Sequence, residues 1–465
     1  MSKKENILII GAGLCGSLLA LRLAQRGYSV IVYESRPDLR TTDISSGRSI
    51  NLALSDRGLR AMKMVGLEKE VTPLCIPMHG RMVHDIHGNT FASNYSGRTG
   101  EYINSISRGG LNGLLLTEAE KHDNVKIHFN KKCTGVDIEK NIAKFKCYTT
   151  KDKFEIKADI IFGADGAGSA LRKSYYLEKK FLFSYSQNYL THGYKELEIP
   201  ADKVGNHLIS KDHLHIWPRG QYMLIALPNL DGSFTVTLFL SYDEGDYNFN
   251  NLTSIEKVTE FFKTQFPDAL ELIPDIHHEF FNNPTGALGT VKCSPWYYKG
   301  KTLLIGDAAH AIVPFYGQGM NASFEDVVVF DEILEDHQGD WDATFKAYQK
   351  ARKEDTDAIA DLAVDNYYEM RDHVANPIFK EKRKLEMDFE KTFPNKYFSK
   401  YSLVTFNETI KYAEAMKIGR AQDKALLNLI ADNEIDTSKD LKVLLKQVQK
   451  ETKEILQEDK IAGLK

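Results

Sequence analysis

Three clusters of glycine and acid in this sequence could do chemistry on a nucleotide. The first is Gly11-x-Gly13-x-x-Gly16, with Glu34 further on. In such a pattern the first glycine permits a tight turn, the second lets backbone approach a pyrophosphate, and the third packs a helix against a strand. An acid about 20 residues on can accept both hydroxyls of an unphosphorylated ribose. The second cluster is Gly163-Ala164-Asp165-Gly166, backed by Ser169 and Arg172, and the third is Gly306-Asp307-Ala308-Ala309-His310. A glycine turn at Gly317-Gln318-Gly319-Met320-Asn321 opens a helical stretch, so its first amides would point at whatever lies before them. No Ser/His/Asp triad stands out, and the glycine loop alone leaves FAD and NAD open.

Strands must deliver these clusters. Residues 7–34 read as strand, glycine turn, helix and strand, which is one βαβ unit. Ala158 to Phe162 and Thr302 to Ile305 are apolar strands that end in the second and third clusters. Between them, residues 181–284 alternate apolar and polar, as in His213-Leu214-His215-Ile216-Trp217 and Ser233-Phe234-Thr235-Val236-Thr237, with the turn signal Asn229-Leu230-Asp231-Gly232. That block predicts an antiparallel sheet inserted into an α/β domain. From Phe324 onward the pattern is helical, and the Lys/Glu-rich tail from Ile435 to Lys465 reads as a solvated amphipathic helix.

Composition narrows the partners. The 465 residues carry 60 Lys plus Arg against 64 Asp plus Glu, a formal charge of −4, so no single-sign field favours nucleic acid or anionic lipid. Small molecules are the expected partners. The 5 cysteines (Cys15, Cys75, Cys133, Cys147 and Cys293) have no close-paired spacing, which fits a reducing compartment and argues against a disulfide framework or a metal site. The uncharged run from Asn6 to Leu21 imitates a secretion signal, but Gly11, Gly13 and Gly16 interrupt it. No other window reaches the roughly 20 apolar residues needed to span a bilayer.

Taken in order, the Asp165 and Asp307 motifs resemble those of the flavin aromatic hydroxylases. The resemblance implies tightly bound, non-covalent FAD. Asp307 would hold its ribityl chain, and Asp165 would border both FAD and the path of NADPH as a transient reductant. By the same resemblance the FAD site takes in Gly11, Gly13, Cys15, Gly16, Glu34, Arg36, Ala53, Arg108, Gly319, Met320 and Asn321. No second glycine fingerprint exists for NADPH. The implied fold is α/β: a Rossmann-type FAD-binding domain (1–75, 105–180 and 285–345), an inserted antiparallel-sheet substrate domain (76–104 and 181–284), and a C-terminal helical region (346–465). Reduced flavin meeting oxygen in a dry pocket can hold a C4a-hydroperoxide, whose distal oxygen attacks electron-rich rings. The protein need only orient the ring, exclude water and time reduction, so no side chain is expected as nucleophile or base. His310 reads as structural.

Narrower stretches resemble the kynurenine-hydroxylating branch of that family: Ser46 to Ser55, Gly80-Arg81-Met82-Val83-His84, His215-Ile216-Trp217-Pro218-Arg219, Pro314 to Asn321 and Asn366 to Arg371. This implies conversion of L-kynurenine to 3-hydroxykynurenine. Such a substrate needs a carboxylate clamp and an apolar slot. Arg81, on an expected strand, would grip the carboxylate through a bidentate fork, and Tyr95 would add a hydroxyl. Asn366 shares a helical stripe with Ile359, Leu362, Ala363 and Met370, and with Tyr401 would complete the amino-acid site. Leu224, Phe234 and Phe315 are expected to line the ring slot. Mitochondrial members carry hydrophobic anchors at the C-terminus, where this chain has charged helix, which implies a cytoplasmic form without a membrane anchor. The alternatives are hydroxylation of another aromatic acid and a flavin-fold protein that binds without turnover. A halogenase is disfavoured, because Trp217, Trp296 and Trp341 do not form the Trp-x-Trp-x-Ile-Pro signature of that branch.

Overall fold

The computed structural model describes residues 5–41, 51–370, 377–431 and 440–462. Two compact units make up the chain. The first comprises Met1–Cys75, Ile106–Leu190 and Ala287–Ala360, and the second comprises Ile76–Ser105, Thr191–Gly286 and Asp361–Lys465. Residues 346–360, grouped by sequence with the C-terminal helices, thus belong to the first unit, and the helices from Asp361 belong to the second.

The first unit is built on a six-stranded sheet in the order Tyr297–Tyr298, Thr302–Leu304, Ile160–Gly163, Asn6–Ile10, Ser29–Tyr33, Val125–His128. All neighbours are parallel except the Tyr297–Tyr298 edge pair. The central strand Asn6–Ile10 carries the continuous buried apolar run Ile7-Leu8-Ile9-Ile10, as a strand covered on both faces requires. Its register sets Ile10 beside both Gly163 and Tyr33, so the glycine loop, the Asp165 turn and Glu34 leave neighbouring strands at one edge. Helix Leu14–Gln25 follows the loop and buries Leu18, Leu19, Leu21 and Leu23 in the same core.

A seven-stranded sheet dominates the second unit, in the order Thr285–Ser294, Ser184–Ile199, Phe234–Ser241, Met223–Pro228, His213–Pro218, Gly80–His84, Thr90–Asn94. From Ser184–Ile199 to Thr90–Asn94 its neighbours are antiparallel, apart from the parallel pairing of His213–Pro218 with Gly80–His84. Alternation predicts sheet throughout 181–284, yet residues 255–282 form three helices, Ile255–Gln265, Pro267–Leu272 and Ile276–Asn282. Their signals are local. Ser254 Oγ accepts the Lys257 N–H as a cap, Val258, Phe261 and Phe262 repeat at helical spacing, and Pro267 opens the next helix. These helices bury one face of the sheet: Leu197, Trp217, Leu224, Ala226, Phe234, Val236 and Leu238 form a core with Phe261, Phe262, Phe266 and Phe280.

The C-terminal helices Pro377–Thr392, Tyr412–Ala431 and Leu441–Ala462 share a separate core. The solvated-helix reading of the tail needs correction here. Leu444, Leu445, Val448 and Ile455 are buried against Leu385, Phe389, Ala425 and Leu426, and only the charged face and Val443 are exposed. No helix among the described residues is long and apolar enough to cross a membrane.

Candidate active site

The nucleotide-binding motifs lie in the first unit. Gly11 sits at φ +100°, and a Cβ there would lie 2.6 Å from the Ala164 carbonyl oxygen, so only glycine lets the loop cross the Asp165 strand end. A Cβ on Gly16 would lie 2.0 Å from Gly11 O, which is the close helix-to-turn packing that the third glycine allows. Gly13 is the N-cap of helix Leu14–Gln25 and has no side chain to bond the first amides, so they remain available to an anion. Two side chains not anticipated from sequence steady the loop: Ser17 Oγ and Asn112 Nδ2 both donate to Ala12 O, at 3.0 and 3.1 Å.

Glu34 is buried and already well occupied. Its Oε2 accepts Ala12 N–H at 2.8 Å, and its Oε1 accepts Arg36 N–H and Nε–H at 2.9 Å each and Ser35 Oγ at 3.1 Å. Burial opposes ionisation, but the charge and bonds of Arg36 and the Ala12 amide prevail and hold the carboxyl below its ordinary value. The expectation that Glu34 takes both ribose hydroxyls is therefore narrowed. With Oε1 filled by three donors, Oε2, which accepts Ala12 N–H alone, is the oxygen with acceptor room left. Arg36 also brings its cation to the loop, 4.0 Å from where a Gly13 Cβ would stand.

Arg172 physically joins the two acidic motifs. Its Nη1 donates to Ala308 O at 2.7 Å and its Nη2 to Ala167 O. Asp165 accepts the Ala170 N–H on Oδ2 at 2.7 Å, while its buried Oδ1 has no protein partner, and burial raises its pKa. Asp307 presents an exposed side chain at the turn. The surrounding protein pushes its carboxyl up, while Arg108 and His310 draw it down. Beneath this turn His310 Nε2 lies 2.5 Å from Asp326 Oδ2, and the same Asp326 accepts Arg352 Nε–H at 2.8 Å and Gly306 N–H at 3.2 Å. His310 is thus a brace for the Gly306–Asp307 turn. The Cys15 thiol packs against Gly306, where a Cβ would come within 2.9 Å of its Sγ, and burial, with Asp326 and Asp307, pushes its pKa well up.

Helix Gly319–Asp336 begins without a side-chain cap. Asn321 Nδ2 donates to Ala53 O and Gly317 O at 2.8 and 2.9 Å, and its Oδ1 accepts Ser55 N–H at 3.0 Å. Its amide is spent on fastening the Ala53 strand to the turn, so any contribution of Asn321 to a cofactor comes through backbone, as it does for Gly319 and the buried Met320. A glycine cradle, two uncapped helix starts, an unpartnered Asp165 oxygen and the exposed Asp307 together fit a long, phosphate-bearing, hydroxyl-rich cofactor.

The second unit holds a different arrangement. Strand Gly80–His84 aligns Arg81 with Leu214 on one side and Ser93 on the other. The Arg81 guanidinium carbon lies 5.5 Å from the Tyr95 ring and 5.3 Å from the Tyr401 ring, and the two rings stack 5.3 Å apart at 11°. Among the described residues no carboxylate pairs with Arg81, whose contacts are with these rings. The Tyr95 hydroxyl is buried without a hydrogen bond of ordinary geometry. Burial and Tyr401 push its pKa well up and Arg81 pulls it down, while burial also raises that of Tyr401. Both phenols are therefore neutral donors. Arg383 Nη2 donates to Asn94 O and Tyr95 O at 2.9 and 2.8 Å and fixes the chain on which Tyr95 stands.

Comparison with known proteins fits both halves. Residues 4–363 match the model of an FAD binding domain family. The chain is 45% identical over 422 residues to a kynurenine 3-monooxygenase of Myxococcus xanthus, covering 91% of this chain and 90% of that one. To the kynurenine 3-monooxygenase of Dictyostelium discoideum it is 44% identical over 442 residues, covering 92% and 94%. The chain belongs to the kynurenine 3-monooxygenase family. Its fold matches the tetrameric form of 2-methyl-3-hydroxypyridine-5-carboxylic acid oxygenase with a TM-score of 0.63 at 21% identity, over 84% of this chain and 97% of that one.

In this kynurenine 3-monooxygenase family member, Arg81, Tyr95 and Tyr401 stand together. Asn366 is buried on its apolar stripe, with Nδ2 3.4 Å from Met370 Sδ. Phe315 is buried in the first unit, in the Pro314–Tyr316 turn. Leu224 and Phe234 need correction. Register pairs Leu224 with Trp217 and Leu238, and Phe234 with Pro228 and Ile199, so both side chains lie in the helix-covered core on the face opposite Arg81. The face that Arg81 shares carries Leu214, Met223, Ile225, Leu227 and Phe239 instead. Alternation in sequence shows which residues share a face but not which face Arg81 joins, since that depends on pairing across strands. Residues 46–50 of the Ser46–Ser55 stretch, and Arg371, lie outside the described residues.

Proposed function

We propose that this chain hydroxylates L-kynurenine at ring carbon 3, using FAD, NADPH and O2. The observation that carries the reading is Arg81: a half-buried guanidinium without an acidic partner, flanked by two neutral tyrosine rings, at the end of an apolar sheet face. A guanidinium in that setting calls for a carboxylate, which it binds through two parallel N–H donors. The hydroxyl of Tyr95, buried and unpartnered, is a further donor for the same group.

Bound FAD would supply oxygen activation after reduction by NADPH, and the glycine loop, Glu34, Arg36, Asp165, Asp307 and the start of helix Gly319–Asp336 are the residues that would hold it. The remaining work falls to the second unit. Arg81 and Tyr95 anchor the amino-acid end. Leu214, Met223, Ile225 and Phe239 give the anthraniloyl ring a dry surface, which orients its electron-rich carbon and keeps water from competing. No side chain needs to act as nucleophile or base. The reading takes the aromatic amino acid and O2 as the partners, without nucleic acid, in the cytoplasm, where free cysteines such as Cys147 stay reduced.

The test is anaerobic reduction of the flavin-loaded protein by NADPH, with and without L-kynurenine, followed by admission of O2 and mass analysis of the product. Faster reduction with kynurenine and a product heavier by one oxygen is the expected result. Equal reduction rates with and without kynurenine would reject the substrate and, with it, the carboxylate role of Arg81.

A further inference from the structure

Two of the distinctive sequence stretches, Gly80-Arg81-Met82-Val83-His84 and His215-Ile216-Trp217-Pro218-Arg219, contain polar residues for which the site so far has no use. They converge in the second unit on the face opposite Arg81. His84 Nδ1 lies 2.7 Å from Asp268 Oδ2, His84 Nε2 lies 2.8 Å from His215 Nδ1, and His215 Nε2 lies 2.8 Å from Ser210 O. Asp268 Oδ2 also accepts Trp217 Nε1–H at 2.8 Å, and the Trp217 ring stacks on His84 at 4.0 Å and 23°. All of these rings are buried.

The protons in this row can be counted. Ser210 O can only accept, so the His215 Nε2 position must carry a proton. Burial, with His84 and His213, presses the His215 imidazole down to about 4, so it is neutral and its Nδ1 accepts from His84 Nε2–H. The remaining contact joins His84 Nδ1 to Asp268. Burial opposes ionisation of Asp268, but the bonds from His84 and Trp217 prevail and hold its carboxyl below the ordinary value. A carboxylate accepts, so His84 Nδ1 must donate as well. Three contacts need three protons, whereas two neutral imidazoles supply only two. The array therefore holds its bonds only while His84 is an imidazolium, sandwiched between the Asp268 carboxylate and the Trp217 face.

This charge sits on the strand that carries the clamp. Strand Gly80–His84 is next to the sheet edge, paired over four positions with His213–Pro218, and beyond it lies only the largely exposed strand Thr90–Asn94. Arg219 adds to the hold, with Nη1 donating to His84 O at 2.9 Å and Nη2 to Asp85 O at 2.8 Å. The charged or titratable groups around His84 are thus Asp268 from the helix Pro267–Leu272, His215 and Arg219 from the neighbouring strand and its end, and Asp85 next in sequence. Thr90–Asn94 contributes none.

We infer that His84, as the imidazolium centre of the Asp268–His84–His215 row, is a positioning residue that locks the strand Gly80–His84 in place and thereby sets how Arg81 leaves its opposite face. The inference rests on Arg81 being the carboxylate clamp. It predicts that removing either partner of the His84–Asp268 contact weakens substrate binding and leaves the flavin site untouched.

The test is the split between kcat and KM for L-kynurenine in the FAD-loaded wild type, His84→Leu and Asp268→Asn, with flavin content as the readout of folding. In His84→Leu, KM should rise at least tenfold, with kcat at saturation within about twofold. In Asp268→Asn the imidazolium loses its counter-charge while Trp217 keeps an acceptor, so KM should rise less than in His84→Leu, with kcat again within about twofold. A purely structural defect would lower kcat or flavin content together with the rise in KM. An unchanged KM in Asp268→Asn, or in flavin-replete His84→Leu, would overturn the inference while leaving the clamp intact. Loss of kynurenine-stimulated turnover in the wild type itself would instead overturn the clamp. If His84→Leu retains no flavin, Asp268→Asn decides alone.

Discussion

The two units encode their sites in opposite ways. In the first, the nucleotide loop and the acids Asp165 and Asp307 lie beside glycines whose backbone conformation other residues rarely adopt: Gly11 at φ +100°, Gly166 at φ +76° and Gly306 at φ +61°. In the second, Arg81, Tyr95 and Tyr401 come from a strand, the chain after the next strand, and a C-terminal helix, and only folding brings them within ring-contact distance. The first site is written as local backbone geometry. The second is written as strand register and helix packing, which no short window contains.

The sharpest break in that comparison should come from Gly16→Ala. The added methyl would meet Gly11 O at 2.0 Å, and backbone cannot move aside without opening the loop. The purified variant is expected to retain no flavin by visible absorbance, and normal flavin content would remove the argument that this site is fixed by local sterics.

Next in size is a pair that tests the two faces of the second sheet. Leu224→Ala should cost about 2–5 kcal/mol of stability, as for a fully buried leucine, with little change in KM. Its neighbour Met223→Ala should raise KM for kynurenine with a smaller loss of Tm. Thermal melts and steady-state kinetics on both variants separate the cases, and the reverse pattern would return Leu224 to the ring slot.

Arg81→Ala follows, with an expected loss of about 2 kcal/mol in substrate binding, roughly 30-fold in Kd, and unchanged flavin content. Equal loss of flavin and substrate would make Arg81 a structural residue and collapse the distinction between the two sites.

The smallest effect concerns Glu279, whose carboxyl burial pushes up to about 7, helped by Glu198 and Asp275 and resisted by the Glu198 amide. A raised acid binds its proton more tightly folded than unfolded, so stability should decline as pH rises from the ordinary value of 4.5 to about 7 and then level off. Glu279→Gln keeps the acceptor for Glu198 N–H and should flatten the Tm profile between about pH 5 and about pH 8. Parallel profiles would show that Glu279 ionises normally.

Much of the first unit was legible because its signals are short. The apolar strands, the glycine turns and the acids that follow them fall where expected, and even the brace role of His310 agrees with its place in Gly-Asp-Ala-Ala-His. Asn112 and Arg172 show the limit. Asn112 reaches the loop from a distant helix, and the bonds of Arg172 to Ala308 and Ala167 tie two motifs whose contact is purely spatial. In the second unit the missed helices had local signals in Ser254 and Pro267, whereas the assignment of Leu224 and Phe234 failed for a deeper reason. A shift of one residue changes the face, and the face is defined by pairing with strands far off in the chain.

By itself the sequence determined the glycine loop and the order of the strand-end motifs, because steric restriction at glycine and hydrophobic period act over a few residues. Only the tertiary structure decided which apolar residues share the face of Arg81, how many acceptor positions Glu34 has left, and that His84, His215 and Asp268 form one proton-sharing row. Those properties depend on distances between atoms that the chain separates, and hydrogen bonds and burial respond to distance in space alone.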